Sequence, residues 1–304
     1  MRRFWPLFLF LLLFIIVLIA IKSEPDRPAV QINSNPQRII SLSPSITETL
    51  FSVGLADRVV AVSDYCDFPI EVLDLPKVGG LINPNLEAIV SQEPDLVILP
   101  ANSLRTIKQL QQLNIPTLAV RSASLTDIKE TIVAIGRRTS HQQQANELLN
   151  SLEKTINHIK SITMNSDRPS VMISLGNSTS NENINTVYIA GQNDFYNDLI
   201  ELAGGTNVYK DKRLNVPSLS VEGIIQLNPD IIVDIYPEAD DHNADLQQVL
   251  QRWQSLKYIN AVKNNRIYIV EESYATIPGP RVLLLLEQLA KLIHPEIRWD
   301  EISL

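Results

Sequence analysis

The chain reads as an α/β protein of two similar lobes, each with a mainly parallel sheet flanked by helices. One long helix joins the lobes, and a ligand cleft lies between them. Three observations predict this. First, residues 85–98 (NLEAIVSQEPDLVI) and 220–233 (SVEGIIQLNPDIIV) align without a gap, Glu87 on Glu222, Pro94 on Pro229 and Asp95 on Asp230. The spacing is too long for a solenoid repeat and suits a duplicated lobe. Second, apolar strands alternate with helical segments, the pattern of a parallel sheet covered on both faces. Third, apolar positions 145, 148, 149, 152, 156 and 159 form one stripe of a helix about 20 residues long.

Each repeat copy reads as a short helix, a Pro-Asp stop and a fully apolar strand. Asn85 and Ser220 are good N-cap residues, and each glutamate falls in the first turn. Before the first copy, Arg38–Leu42 is a strand. Pro44 and a Ser45/Glu48 capping box open a helix that Gly54 ends. VVAVS at 59–63 is the next strand, leading through DYCDFP to a Gly-Gly turn at 79–80. A strand ending at Pro100, a helix over 103–113 and the strand TLAV at 117–120 complete a lobe spanning 38–125.

Connecting helices occupy 126–165, with capping boxes expected at Asp127/Glu130 and Ser140/Gln143. A long helix spanning both lobes predicts a small opening motion rather than a wide hinge. The second lobe, 166–304, holds the strand VMISLG, a polar loop at 177–186, the strand VYIAG and a helix through DFYNDLIELAGG. After the second repeat copy come a helix containing Trp253, the strand RIYIV, the loop EESYATIPGPR and a final helix at 281–293.

Residues 1–37 are a separate region. Arg2 and Arg3 precede a 17-residue apolar stretch ending at Ile21, and a polar, proline-rich tether follows. The length lies between a signal-peptide core and a membrane helix, and the arginines favour a cytoplasmic N-terminus with the remainder exported. No small-x-small cleavage site follows cleanly, and no cysteine stands there to take a lipid. The segment is therefore read as an uncleaved anchor, with a cleaved signal as the alternative. The expected location is the periplasm or the outer face of the cytoplasmic membrane.

Composition narrows the function. Of 304 residues, 45% are apolar and 20% charged, so both lobes can bury cores. A net charge of −8 gives no basic face for nucleic acid. Four scattered histidines lack metal-ligand spacing, and the usual nucleotide, zincin and hydrolase motifs are absent. Cys66 is the only cysteine, so neither an intrachain disulfide nor a cysteine-held metal cluster is available. The chain is read as a monomeric binding protein and not as an enzyme, with no cofactor and no resident metal.

The segments RIISLSPSITETLFSVG, VVAVSDYCDFP, PKVGGLINPNLEAIVSQEPDLVIL, ELAGGTNVY, SVEGIIQLNPDIIV and ESYATIPGPR together resemble the periplasmic substrate-binding proteins of ABC importers with a single long helical backbone. That family serves cobalamin, iron-siderophores and haem. The resemblance covers residues 38–295, and SDYCDFP followed by LPKVGG and NPNLEAI is most similar to the cobalamin-binding branch. It implies a transported corrinoid, with an iron-siderophore or haem as the alternative. It also implies ABC permease subunits as partners, docked through one exposed glutamate on each lobe, here Glu87 and Glu222. An acidic residue in a first turn also complements the helix dipole, by roughly 0.3–1 kcal/mol, but matched placement in two lobes is better explained by a two-fold partner.

Ligand contacts are expected where strands end on the cleft. Ser43 and Pro44 follow the first strand, and Tyr65 follows the second. Leu81 and Asn83 follow the Gly-Gly turn, where other members often carry an aromatic residue. Tyr236 and Pro237 follow the second repeat strand. Tyr274 and Arg281 bracket a proline- and glycine-rich loop, where Arg281 is expected to face the ligand or pair with an acid. The aromatic residues suit a large, flat, amphipathic ligand, whereas a trianionic siderophore would want several arginines. Tyr65 could also ligate haem iron. The acidic run Glu238–Asp241 is read as a solvated loop.

Overall fold

The computed structural model describes residues 35–180, 183–236 and 246–302. The apolar N-terminal stretch, Pro237 and the acidic run at 238–241 lie outside the described residues. No described helix is long and apolar enough to cross a membrane.

The first sheet contains β1 (Ile39–Ser41), β2 (Val59–Val62), β3 (Leu96–Pro100) and β4 (Thr117–Val120) in the order β2-β1-β3-β4, all parallel. Helix α1 (Pro44–Ser52) crosses from β1 to β2, α2 (Leu86–Ser91) precedes β3, and α3 (Leu104–Gln112) joins β3 to β4. Two connecting helices follow, α4 (Leu125–Arg138) and the 22-residue α5 (Gln142–Thr163). At about 1.5 Å per residue, α5 is some 33 Å long.

The second sheet begins with β5 (Ser170–Ser180) and β6 (Asn183–Ile189), which pair antiparallel as a hairpin. Helix α6 (Phe195–Leu202), the short β7 (Thr206–Asn207) and β8 (Ser218–Ser220) follow, and then α7 (Val221–Leu227) and β9 (Ile231–Ile235). Helices α8 (Leu246–Gln254) and α9 (Asn260–Lys263) lead to β10 (Ile267–Val270), and α10 (Val282–Ile293) comes last. The strand order is β10-β9-β5-β6-β8, with β7 also on β5. Of residues 177–186, expected to form a polar loop, 177–180 and 183–186 are instead arms of the hairpin. Its polar sequence lacks the apolar pattern by which strands are recognised, and pairing with neighbours supplies the order.

Period-2 alternation divides each sheet between two cores. Ile39, Leu96 and Ile98 face inward, while Ile40, Val97 and Leu99 face a smaller outer cluster. In the second sheet Val171, Ile231 and Val233 face inward, and Met172 and Ile232 pack outward beneath Trp253. The inward cluster runs unbroken from the first sheet through Ile128, Ile135, Leu152 and Ile159 to Val171 and Leu289. Both lobes thus share one core through α4, α5 and α10, which limits their relative motion.

Three helix starts differ from expectation. Pro44 at N1 places the α1 cap at Ser43, so Ser45 is not the cap, Glu48 lies two residues beyond the box position, and its side chain is buried instead. The α4 box is formed three residues earlier than expected. The Ser124 hydroxyl accepts from Asp127 N at 3.1 Å, and Asp127 Oδ2 accepts from Ala123 N at 3.2 Å. Ser140 adopts φ +61° in the turn after α4, and His141 is the α5 N-cap, without a side-chain cap bond.

Candidate functional site

The carboxyl ends of β1, β3 and β4 open on a cleft of about 680 Å³. Its first-lobe wall is Ser43–Ser45, Leu81, Pro100–Asn102 and Val120–Ala123, and the second lobe contributes Thr276, Ile277 and Pro278. The volume falls within the range of small-molecule sites, and the position is where parallel sheets bind ligands. Of the expected contacts, Ser43, Pro44 and Leu81 line this cleft. The segments after β3 and β4 were missed at the sequence level, although the rule that pointed to Ser43 applies equally to Asn102 and Ser122.

Loop geometry is set from below. Thr47 Oγ1 donates to Ser41 Oγ at 2.8 Å and lies 3.2 Å from Cys66 Sγ, which is also 3.2 Å from Ser63 Oγ. Lys77 Nζ donates to Cys66 O at 2.7 Å. These bonds hold the loop carrying Tyr65 against β1 and α1. Burial pushes the Cys66 thiol up, outweighing the hydroxyls of Ser63 and Thr47, and the buried side chain anchors the loop.

Tyr65 is 70% exposed and stands over the backbone of Gly80, where a Cβ would lie 3.3 Å from its ring. Gly79 has φ +89°, and a side chain there would meet Asn85 N at 2.8 Å, so the turn presenting Leu81 requires glycine. Asn83 and Ile82 are exposed, Ile82 at 86%, and neither is among the residues that line the cleft.

The remaining expected contacts lie elsewhere. Tyr236 is half-buried on the outer core of the second sheet, its N–H bonded to Val270 O. Tyr274 donates to Gln288 Oε1 at 3.1 Å, and burial raises its phenol. Arg281 meets an acid: Nη2 donates to Glu48 Oε1 at 2.6 Å, and the guanidinium stacks 3.9 Å from the Phe68 ring centroid. Glu48 was not singled out as more than a capping residue, because the contact joins positions 233 residues apart.

Among the described residues lining the cleft, Arg121 is the one charged side chain, and it already pairs with Asp127 at 2.9 Å and Glu130 at 3.2 Å. Ser43, Ser45, Ser122, Thr276 and Asn102 offer hydroxyl and amide groups among apolar ones. Among the described residues, no cluster of three or more histidine, cysteine or acidic groups is placed to hold a metal ion.

Glu87 and Glu222 are both exposed in the first turns of α2 and α7, and neither is ion-paired with a described residue. The Ser220 hydroxyl holds the Glu222 carboxyl below the usual range. The cap bonds match as well, Asn85 Oδ1 accepting from Ala88 N at 3.1 Å and Ser220 Oγ from Gly223 N at 3.3 Å.

The sequence pattern of the family described as periplasmic binding protein matches residues 39–274. An uncharacterized ABC transporter substrate-binding lipoprotein of Bacillus subtilis is 32% identical, over 88% of this chain and 83% of its own length. A vitamin B12-binding protein of Vibrio cholerae is 27% identical, over 83% of this chain and 87% of its own. Among solved structures, a possible iron-binding, periplasmic solute-binding protein of Staphylococcus epidermidis superposes with a TM-score of 0.71 at 28% identity, covering 86% of this chain and 99% of that one. The chain belongs to the periplasmic binding protein family.

Proposed function

We propose that this protein captures cobalamin or a related corrinoid outside the cytoplasmic membrane and delivers it to an ABC importer. It performs no covalent chemistry. The ligand is buried between the lobes, released after docking, and replaced. The observation that carries the reading is the wall formed by the described residues, whose one charged side chain is already paired and whose other polar side chains are hydroxyls and an amide. A large amphipathic ligand without strong net charge fits such a wall, and a polyanion does not. The exposed rings of Tyr65, packed over Gly80 next to the lining residue Leu81, and of Phe68, stacked by Arg281, add flat apolar surface. The similarity to a vitamin B12-binding protein supports the same choice.

In this reading the N-terminal apolar stretch tethers the protein at the outer face of the membrane, in place of the lipid of the Bacillus relative. The monomer docks onto permease subunits through Glu87 and Glu222. An iron-siderophore or haem is the second reading, favoured by one observation: the exposed phenol of Tyr65, an oxygen ligand suited to ferric iron. Titration followed by visible absorption separates the two. Saturable binding of cyanocobalamin is the expected result. Saturable binding of haemin or a ferric hydroxamate, with none of cyanocobalamin, would sink the corrinoid reading.

A further inference from the structure

Between the lobes lies a buried ion pair that the duplicated segments do not account for. Glu48 on α1 has a side chain 1% exposed, and Arg281, the N-cap of α10, has one 16% exposed. Only half of the possible contact is made. Arg281 Nη2 reaches Glu48 Oε1, while Arg281 Nε and Glu48 Oε2 are both buried with no hydrogen-bond partner among the described residues. Nε and Nη2 lie on one edge of the guanidinium, so the two unpartnered atoms are those that would complete a side-on bidentate pair. Burial raises the Glu48 carboxyl and Asp67 adds to this, while Arg281 opposes it.

The surroundings connect this pair to the cleft. Arg281 stacks on Phe68, in the loop that carries Tyr65. A Cβ on Gly279 would stand 3.3 Å from Ser45 Cα and 3.4 Å from Glu48 Oε2, so this loop is pressed against the start of α1. Thr276, Ile277 and Pro278, the second-lobe part of the cleft wall, come immediately before it.

We propose that Glu48 and Arg281 are positioning residues that set the width of the cleft. They latch the Thr276–Pro278 wall to the first lobe, and the latch passes from one hydrogen bond to two as the lobes close on a ligand. A half-satisfied buried pair is costly, and completing it recovers part of that cost, so the latch favours the closed form. The shared core permits only a small movement, which is all that a second bond requires. The inference rests on the cleft being the ligand site, as proposed above.

Two variants test it. Glu48→Gln removes the charge and keeps the shape. The paired change of Glu48→Leu with Arg281→Met removes both charges and leaves neither buried alone. Nitroxide labels on Ser91→Cys and Gln226→Cys, exposed equivalents in the two repeats, report the interlobe distance. The expected result is a broader distance distribution in both variants without ligand. Cyanocobalamin should dissociate at least tenfold faster from them, with its association rate little changed. A native distance distribution and native dissociation rate, accompanied only by a lower melting temperature, would overturn the proposal. The ligand-free distances decide the latch even if the native protein binds no cyanocobalamin, a result that would count against the corrinoid reading alone.

Discussion

The two lobes are twins at their centres and unlike at one edge. In each, the first strand neighbours the repeat strand, which neighbours the last: β1-β3-β4 in one lobe and β5-β9-β10 in the other, all parallel. The Pro-Asp stop explains the match. Asp95 accepts from Gln37 N at 2.7 Å and Arg38 N at 2.9 Å, holding the start of β1. Asp230 accepts from Ser170 N at 3.0 Å and Ser170 Oγ at 2.7 Å, holding the start of β5. The same carboxylate thus aligns the same pair of strands twice.

Beyond the first strand the lobes part. Helix α1 follows β1, so β2 returns parallel and Ser43–Ser45 reach the cleft. The hairpin makes β6 antiparallel, and the second lobe reaches the cleft through Thr276–Pro278 instead. The repeat sets the shared frame, and the unmatched edge differentiates the two walls.

The largest effect expected from breaking the twin relation is on delivery. If Glu87 and Glu222 each dock one half of a permease, reversing both charges should abolish uptake, whereas each single reversal should only reduce it. Ligand affinity should stay unchanged in all three variants. Transport assays in cells, paired with titration of the purified variants, check this. Normal uptake by the double variant would leave the glutamates with only their local role at the helix dipole.

Next comes a buried position where the lobes differ. Leu99 in β3 corresponds to Asp234 in β9, and both are fully buried. Asp234 Oδ2 accepts from Trp253 Nε1 at 2.6 Å, while Oδ1 has no hydrogen-bond partner among the described residues. Trp253→Phe should cost about 3 kcal/mol, combining a lost bond to a buried acceptor with lost packing. Asp234→Asn keeps an acceptor for the indole and should be neutral or stabilising by about 1 kcal/mol at pH 8. Burial raises the Asp234 carboxyl, and the neighbouring Ser174 hydroxyl and the Trp253 indole oppose it. Its contribution is therefore most favourable below the unfolded-state value and is lost as pH rises through the folded one. Melting curves of Asp234→Asn should accordingly be flatter between pH 4 and 8 than those of the native chain.

Asp230 carries the opposite sign. Burial would raise its carboxyl, but the bonds from Ser170 and Asn260 outweigh it and hold the group below the usual value. Its stabilisation is present above the unfolded value and disappears as pH falls through the folded one. Asp230→Ala should cost roughly 2–3 kcal/mol, because three donors lose an ionised acceptor. Asp95→Ala, with two backbone donors, should cost less, roughly 1–2 kcal/mol. Chemical denaturation at pH 7 would check the ranking, and equal costs would show that the second lobe's extra bond contributes nothing.

What the sequence made legible follows from range. The repeat, its caps, the apolar strands and the long α5 stripe are local patterns, and each of them formed. Ser43 and Pro44 were reached because a strand end is visible in the chain. The hairpin arms were missed because their residues are polar and their order comes from neighbouring strands. Glu48 was assigned to a cap because its true partner, Arg281, lies at the far end of the chain. Tyr236 has the expected position after β9, but the period-2 alternation that points Ile231, Val233 and Ile235 inward puts it with Ile232 on the outer core.

The smallest test concerns the residue before each proline. Glu93 and Asn228 occupy equivalent positions, with φ of 46° and 48°. Left-handed backbone is tolerated by asparagine and costs a glutamate more. Glu93→Asn should therefore stabilise the protein by about 0.5 kcal/mol. The reciprocal change should not be symmetric. Asn228 Oδ1 also accepts from Asn260 N at 2.8 Å, capping α9, so Asn228→Glu should cost about 1–2 kcal/mol. Denaturant midpoints of the two swaps compare the copies directly: equal and opposite shifts would mean that backbone conformation alone governs the site. A larger loss at Asn228 would show that one copy of the turn has been recruited to hold the following helix, while the other remains a simple stop.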